Sequence, residues 1–213
     1  MLVGERMSKP VITISPDLPI AEAMNMVKIE HVRRFPVVKD GKLLGLVSDK
    51  DLLNASPSPV TTLSIWELNY LLNKITVSEV MVKNVLTVTE DTPIEQAARI
   101  MADNQIGGLP VMRNGGVVGM ITETDLFKIF LELLGAREMG IRVTVLVKVN
   151  PGELAKLTKA VSDAGGDFIA FGMFTGVDST NKMVTFKVTQ ISQDDLKKAI
   201  TPIVKEILDI RSS

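Results

Sequence analysis

Two short motifs contain the residues of this chain that are most able to do chemistry. Ser48 precedes Asp51, and Thr122 precedes Asp125, with two residues between the hydroxyl and the acid in each case. A hydroxyl at a helix start lies beside free backbone N–H groups and the positive end of the helix dipole, where a phosphate binds well. An aspartate one turn later can accept hydrogen bonds from both hydroxyls of a ribose. The spacing therefore describes a nucleotide cradle that occurs twice.

The same spacing also describes a structural helix cap. In a capping box, a Ser or Thr and an acid three residues later satisfy the free backbone donors at the helix start. Here Asp stands where Glu or Gln is usual. On spacing alone, the cap is favoured over the cradle.

No residue pattern typical of a catalytic or metal site accompanies these motifs. His31 is the only histidine, it lacks a partner serine or cysteine arrangement, and the chain has no cysteine. The acid pairs Asp49 with Asp51 and Glu123 with Asp125 have no histidine or further carboxylate nearby in the sequence. We therefore predict a protein that is not an enzyme and has no metal site or required cofactor.

The composition limits the possible partners and the location. Lys and Arg number 24 against 25 Asp and Glu, so no overall basic field attracts the chain to nucleic acid or to anionic membranes. No apolar run approaches the roughly 18 residues that cross a bilayer, and the first residues do not resemble a leader peptide. The length of 213 residues predicts more than one folded unit, and 46% hydrophobic residues predict a buried core. The absence of cysteine favours the cytoplasm.

An internal repeat with an offset of 74 residues organises the first two thirds of the chain. The matching pairs include Met7 with Met81, Asp17 with Asp91, Pro19 with Pro93, Pro36 with Pro110, Gly45 with Gly119 and Asp51 with Asp125. Each copy is predicted to follow the order β-α-β-β-α. Strands are expected at 11–14, 35–38 and 43–47 and at 85–88, 109–112 and 117–121, and helices begin near Pro19, Asp49, Pro93 and Glu123. The hydroxyl motifs fall where the third strand of each copy meets its second helix.

An insertion at 56–76 belongs to the first copy alone. It opens with Ser56-Pro57-Ser58-Pro59, which breaks the preceding helix, and continues as an amphipathic stretch from Leu63 to Ile75. The stretch holds the only tryptophan, Trp66, and the only tyrosine, Tyr70. Aromatic residues at helical spacing are usually packed, so we expect packing on an edge of the first module or against another chain rather than ligand contact.

A third unit begins near Ile141 and matches neither copy. The pattern predicts strands at 142–149, 167–174 and 182–189, a helix opened by Pro151, and a helix at 194–200. Residues 203–210 are either a last strand or a terminal helix. With a last strand, the order β-α-β-β-α-β is the ferredoxin-like plan.

The two copies together resemble a tandem pair of CBS domains, also called a Bateman module. The resemblance rests on Phe35-Pro36-Val37 and Leu109-Pro110-Val111, each followed by a glycine, two hydrophobic residues and the hydroxyl motif, and it covers about residues 1–134. In that family the hydroxyl and the acid commonly contact the phosphate and ribose of AMP, ATP or S-adenosylmethionine. The resemblance therefore favours the cradle. The nucleotide-binding positions that it implies are Thr13, Arg34, Phe35, Pro36, Ser48, Asp51, Thr87, Gly108, Leu109, Pro110, Thr122 and Asp125.

The two copies differ just ahead of these prolines. Arg33-Arg34 stands in the first copy where Gly107-Gly108 stands in the second. Arginine pairs forked donors with phosphate oxygens, and glycine permits close approach of the backbone. Unequal ligand sites are one interpretation, and solvated arginines at a strand edge are the other.

The third unit resembles an ACT domain over about 141–213, through the turn Asn150-Pro151-Gly152-Glu153-Leu154. In that family the turn can receive an amino-acid carboxylate, although many members only dimerise, and Asn150 stands where Asp is frequent. The order CBS, CBS, ACT resembles the acetoin-utilisation-type proteins. The fold expected is mixed α/β (α+β), with CBS repeats at 1–55 and 77–134, a helical insertion at 56–76 and a ferredoxin-like ACT domain at 141–213.

The predicted function is that of a regulatory sensor that binds an adenosine nucleotide between the CBS copies. A homodimer is expected, and the sequence does not indicate which enzyme is regulated. Two alternatives stay open: a constitutive dimeric scaffold without a nucleotide, and an amino-acid sensor acting through the ACT-like turn.

Overall fold

The computed structural model describes residues 1–56 and 64–213, without the side chains of residues 65, 68, 69 and 71. The Pro57–Pro59 segment of the predicted insertion lies outside the described residues. The chain divides into two compact units, Met1–Leu126 and Phe127–Ser213. Within the described residues, no helix is both long and apolar enough to cross a membrane.

The first unit contains the two copies, each built on an antiparallel hairpin. The elements are α1 (Val3–Arg6), α2 (Ile20–Glu30), β1 (Arg34–Lys39), β2 (Lys42–Ser48), α3 (Asp49–Asn54), α4 (Ile65–Lys74), α5 (Val77–Val80), β3 (Val88–Thr89), α6 (Ile94–Asn104), β4 (Gly108–Arg113), β5 (Gly116–Thr122) and α7 (Glu123–Leu133), which continues beyond the unit's last residue. Asp40-Gly41 and Asn114-Gly115 all have positive φ, as two-residue hairpin turns require. The predicted hairpins and the second helix of each copy are therefore confirmed.

The predicted first strands are largely wrong. Only Ile14 bridges β1, through Ile14 N–H to the Pro36 carbonyl at 3.1 Å and Val38 N–H to the Ile14 carbonyl at 2.9 Å. In the second copy the strand shortens to β3, which pairs in parallel with β4. The next hydrogen bond of each parallel ladder needs an N–H from Pro36 or Pro110, and proline has none. The ladder therefore stops after one or two residues.

The short helix at the start of each copy packs in the hydrophobic core of the other copy. Val3 and Met7 belong to the core of the second hairpin, whereas Val77 belongs to the core of the first, with Met81 packed against it. Matching backbone hydrogen bonds hold the two helices, from Val3 N–H to the Thr92 carbonyl and from Val77 N–H to the Leu18 carbonyl, each at 2.9 Å. Each packed module therefore consists of the hairpin of one sequence copy together with the short first helix of the other copy.

The aromatic side chains of the insertion are not packed against the first module, so the expected packing within the chain is wrong. The exposed fractions of Trp66 and Tyr70 are 85% and 60%. The Lys74 ammonium lies 4.4 Å from the centre of the Tyr70 ring. Leu72 of the same helix packs against the first core, so the aromatic residues occupy the opposite, solvent-facing side.

The second unit contains the end of α7, a four-stranded antiparallel sheet and two further helices. Its elements are β6 (Ile141–Lys148), α8 (Glu153–Asp163), β7 (Asp167–Thr175), β8 (Asn181–Thr189), α9 (Gln193–Ile200) and β9 (Glu206–Ser212), and the strand order is β7-β8-β6-β9. The segment left open in the sequence is a strand, because β9 pairs with β6 from Glu206 to Ser212. The mixed α+β class is confirmed.

Candidate functional site

Ser48 begins α3 and forms a complete capping box with Asp51. The Ser48 hydroxyl donates to Asp51 Oδ2 at 2.6 Å, and the Ser48 backbone N–H donates to the same oxygen at 2.8 Å. In return, Asp51 N–H donates to the Ser48 hydroxyl oxygen at 3.2 Å. These bonds satisfy backbone donors that a helix start otherwise leaves free.

Thr122 and Asp125 form the same arrangement at the start of α7. The Thr122 hydroxyl and backbone N–H donate to Asp125 Oδ2 at 2.7 and 3.0 Å, and Asp125 N–H approaches the hydroxyl oxygen at 3.4 Å. Asp125 is buried, with 7% of its surface exposed, whereas Asp51 is half-buried. The cap interpretation is confirmed for both motifs, and ligand binding by the same groups stays a prediction.

A third motif of the same form provides a reference that lies far from these residues in the sequence. Ser192 caps α9, donates to Asp195 Oδ2 at 2.7 Å and accepts from Asp195 N–H at 3.2 Å. The hydrogen bond from Ser192, followed by the charge of Lys198, lowers the pKa of the Asp195 carboxyl. The exchange of bonds between a cap hydroxyl and an aspartate therefore also occurs away from the predicted ligand-binding positions, here without a bond from the backbone N–H of the cap residue.

The strand starts of β1 and β4 lie directly beside the two caps. Arg34 pairs with Ser48 in the first hairpin, and Gly108 pairs with Thr122 in the second. The predicted residues that follow them, Phe35, Pro36, Leu109 and Pro110, are buried. The side chains of Phe35 and Leu109 belong to the two cores, so at these positions only the backbone is placed to meet a ligand.

Thr13 and Thr87 are exposed and lie immediately before the points where the chain pairs with β1 and β4. Ile14 forms the bridge in the first copy, and Val88 begins β3 in the second. Each predicted threonine therefore lies one residue before a backbone contact with the strand, β1 or β4, whose start pairs with the cap residue. The prediction that these threonines line a base pocket stays open.

Arg34 extends from the first hairpin to the second. A methyl group at Gly107 would lie 2.7 Å from Arg34 Cζ and 2.6 Å from Glu123 Oε2, and one at Gly108 would lie 3.4 Å from Arg34 Cδ. The guanidinium therefore lies over the glycine pair of the second copy. Solvation at a strand edge does not describe Arg34. In the sequence, the contrast between Arg33-Arg34 and Gly107-Gly108 indicated that the two copies differ here. It did not indicate that Glu123 also lies beside Gly107.

The ACT-like turn forms a second, weaker candidate site. Gly152 precedes α8 with φ 86°, a left-handed conformation that favours glycine. The buried Glu153 carboxylate accepts from Lys156 Nζ at 2.8 Å, and Leu154 packs against the core of the second unit. A cavity of about 320 Å³ is lined by Lys148, Asn150, Thr180 and Lys205. Of the five residues predicted from Asn150 to Leu154, only Asn150 is among the residues that line this cavity, and Pro151, directly after it, is not.

The described parts of the chain contain no group of three or more His, Asp or Glu side chains placed to hold a metal ion. The carboxylates of the two hydroxyl motifs are instead engaged at the starts of their own helices. The four predicted hydroxyl and aspartate residues of the first unit thus form two helix caps, and Arg34 lies beside them.

The family model described as the CBS domain matches the chain twice, at residues 3–58 and 77–132. Since these two matches cover more than half of the sequence, the chain belongs to the CBS domain family. A CBS domain-containing protein of Dictyostelium discoideum is 33% identical over 136 residues, which cover 63% of this chain and 94% of that protein. The chain spans only 30% of an inosine-5'-monophosphate dehydrogenase of Thermoplasma acidophilum, which is 32% identical over 162 residues and 76% of this chain.

Solved structures of CBS pairs resemble the same part of the chain. The CBS pair of protein MJ0100, in complex with 5'-methylthioadenosine and S-adenosyl-L-methionine, has a TM-score of 0.52 and 30% identity, covering 65% of this chain and 98% of that one. The structure of CBSX2 in complex with AMP has a TM-score of 0.53 and 28% identity, covering 62% and 97%. Similar CBS pairs therefore bind adenosine ligands.

Proposed function

We propose that the protein is a regulatory sensor, not an enzyme, that binds an adenosine ligand of the AMP, ATP or S-adenosylmethionine class in its CBS pair. The observation that carries this proposal is the pair of hydroxyl and aspartate caps beside the starts of β1 and β4. The adenosine ligands in structures of similar CBS pairs support it. The ligand-binding residues proposed are the positions named from the sequence, centred on Ser48, Asp51, Thr122 and Asp125.

A ligand can bind to the cap hydroxyls only if it changes the hydrogen bonds of the closed caps. Each hydroxyl proton already goes to an aspartate oxygen. A phosphate that binds there must replace the aspartate as the acceptor of that proton, which releases the carboxylate to accept from a ribose. Binding therefore rearranges a helix start, and it shifts a conformational equilibrium only by the difference in affinity between the two arrangements.

For the second unit, we propose an ACT domain of ferredoxin-like plan. The element order β-α-β-β-α-β and the strand order β7-β8-β6-β9 support the proposal. Its proposed role is dimerisation or amino-acid sensing through the turn at Asn150, within a cytoplasmic homodimer of the acetoin-utilisation type. The regulated partner is not defined by the sequence.

A ligand panel tests the sensor proposal. Thermal unfolding of the full chain is measured with AMP, ATP and S-adenosylmethionine, and a ligand at 100 times its Kd is expected to add about 2.7 kcal/mol to the free energy of unfolding. Ser48→Ala with Thr122→Ala should lower ligand affinity as well as stability. Ser192→Ala is the control, because it removes the same two bonds between a cap hydroxyl and an aspartate and should lower stability alone.

A constitutive scaffold is the competing function, and the observation in its favour is that each cap hydroxyl already donates its proton to an aspartate. In that case Ser48→Ala and Thr122→Ala each cost about 1 kcal/mol, as Ser192→Ala does, and no adenosine ligand changes the unfolding curve. A ligand response that is lost in the double variant and kept in Ser192→Ala excludes the scaffold. The absence of any response to the three ligands excludes the sensor.

A further inference from the structure

Helix α7 begins at one of the two caps and ends in the second unit. Its first turn follows Thr122 and contains Asp125, whereas the residues from Phe127 onwards belong to the second unit. The helix contains neither proline nor glycine from Glu123 to Leu133, and these residues are common causes of a kink. A change at the helix start therefore has a continuous rigid element along which it can act.

A buried lysine of β8 holds the chain at the end of α7. Only 5% of the Lys187 surface is exposed. Its ammonium donates to the Gly135 carbonyl at 3.1 Å and to the Glu138 carbonyl at 2.6 Å. A cation is favoured at the negative end of a helix dipole, and a buried charged group is costly to leave without its hydrogen bonds. Lys187 therefore fastens the helix end to the sheet.

The chain around this lysine is closely packed on the sheet. Gly135 has φ 56°, and an added Cβ there would lie 3.0 Å from Ile169 Cγ2 and 3.2 Å from Ala170 Cβ. A Cβ at Gly172 of β7 would lie 3.5 Å from Leu134 Cδ2. The two glycines thus allow the end of α7 to approach β7, and the helix end and the sheet pack as one body.

Resting on the function proposed above, we propose that α7 couples ligand binding at the Thr122 cap to the sheet of the second unit, with Lys187 as the positioning residue of this coupling. The proposed function gives the helix start two arrangements, with the Thr122 hydroxyl bonded either to Asp125 or to the ligand. Because Lys187 fixes the other end of the same helix, the two arrangements differ in how well that end fits the sheet. Ligand affinity and the attachment of the helix end are then linked.

Amide hydrogen exchange of the full chain tests the coupling. Two amides report on the helix end: Ala136 N–H, bonded to the Leu131 carbonyl at 2.9 Å, and Gly140 N–H, bonded to the Ser213 carbonyl at 3.0 Å. AMP, ATP and S-adenosylmethionine are each added, and calorimetry identifies which of them bind. With a bound ligand at saturation, we expect the exchange rates of these amides to change at least about fivefold in the wild-type chain.

Lys187→Met should remove this response. The exchange rates of the two amides should then change less than about twofold on ligand addition. Calorimetry should still show binding, because Lys187 lies outside the cap. Lys182→Met is the matched control, since it removes a lysine of the same strand that pairs with Val147 and Thr175, five residues away, and should keep the full response.

Gly135→Ala tests the same attachment without removing a charge. The new methyl group meets Ile169 in a backbone conformation that favours glycine, so this variant should also lose the response. A bound ligand that leaves both amides of the wild-type chain unchanged would overturn the proposal, and this measurement needs no variant. A full response in Lys187→Met, or an equal loss in Lys182→Met, would also overturn it and leave the adenosine sensor standing. If none of the three ligands binds, the proposed function falls, and the coupling falls with it.

Discussion

The two CBS modules have the same elements, but they differ in what surrounds each hydroxyl cap. The first has Arg34 beside Ser48 and a half-buried Asp51, whereas the second has Gly108 beside Thr122 and a buried Asp125. The caps themselves form the same three hydrogen bonds, at 2.6, 2.8 and 3.2 Å in the first and at 2.7, 3.0 and 3.4 Å in the second. The difference teaches that the repeat preserves the helix starts, while the residues beside them have diverged.

The largest predicted difference between the modules concerns two equivalent glycines. A methyl group at Gly45 would meet the Met81 side chain and, at 2.8 Å, the backbone oxygen of Val82. At Gly119 the three atoms nearest to such a methyl group all belong to the Met7 side chain. A flexible methionine can move and a backbone cannot, so we expect Gly45→Ala to lower the free energy of unfolding by about 3 kcal/mol and Gly119→Ala by about 1 kcal/mol. Urea unfolding of both variants measures the difference. Equal losses of the free energy of unfolding would show that the segments at Met81 and at Met7 accommodate an added methyl group equally well.

The next difference concerns the two cap aspartates. Asp125 is more buried than Asp51, so a donor left without an acceptor there is less accessible to water. We expect Asp125→Ala to lower the free energy of unfolding by about 2 kcal/mol and Asp51→Ala by about 1 kcal/mol. The same unfolding measurement decides, with Asp195→Ala as the control for an exposed cap of this form. A larger loss in Asp51→Ala than in Asp125→Ala would contradict the assigned burial.

The smallest predicted difference concerns the exchanged helices α1 and α5. Their caps are Leu2 with Glu5 and Thr76 with Glu79, so only the second has a hydroxyl. The backbone N–H and then the hydroxyl of Thr76 hold the pKa of Glu79 below its ordinary value of 4.5. Because the folded-state pKa is lowered, the stabilisation is present above pH 4.5 and is lost as the pH falls through the folded-state pKa. NMR titration should place Glu79 below 4.5, and Thr76→Val should raise its pKa, whereas an unchanged titration midpoint would show that the hydroxyl contributes nothing.

Local features could be predicted from the sequence, and contacts between distant segments could not. The Asp40-Gly41 and Asn114-Gly115 turns and the caps at Ser48 and Thr122 depend on residues at most three positions apart. The exchange of Val3 and Val77 between cores depends on contacts more than fifty residues apart, for which hydrophobic periodicity carries no signal. The short first strands follow from the missing N–H groups of Pro36 and Pro110, a consequence that strand propensity alone overlooks.

For the candidate site, residue types were predictable and orientations were not. The difference between Arg34 and Gly108 was visible in the repeat, but the position of the guanidinium over Gly107 depends on how the two hairpins meet. Trp66 is a residue for which the orientation was predicted wrongly. An amphipathic pattern indicates that one face of a helix is buried, but it does not identify whether a large aromatic residue lies on that face or on the exposed one.

The central claim is that the helix starts at Ser48 and Thr122 receive an adenosine ligand. The most direct measurement is the set of backbone amide chemical shifts of the full chain, recorded by NMR during titration with AMP. The account predicts saturable shifts of the Asp51 or Asp125 amides, whose N–H groups face the cap hydroxyls, while the Asp195 amide of the matched cap stays in place. Saturation with AMP that leaves the Asp51 and Asp125 amides unmoved would contradict it.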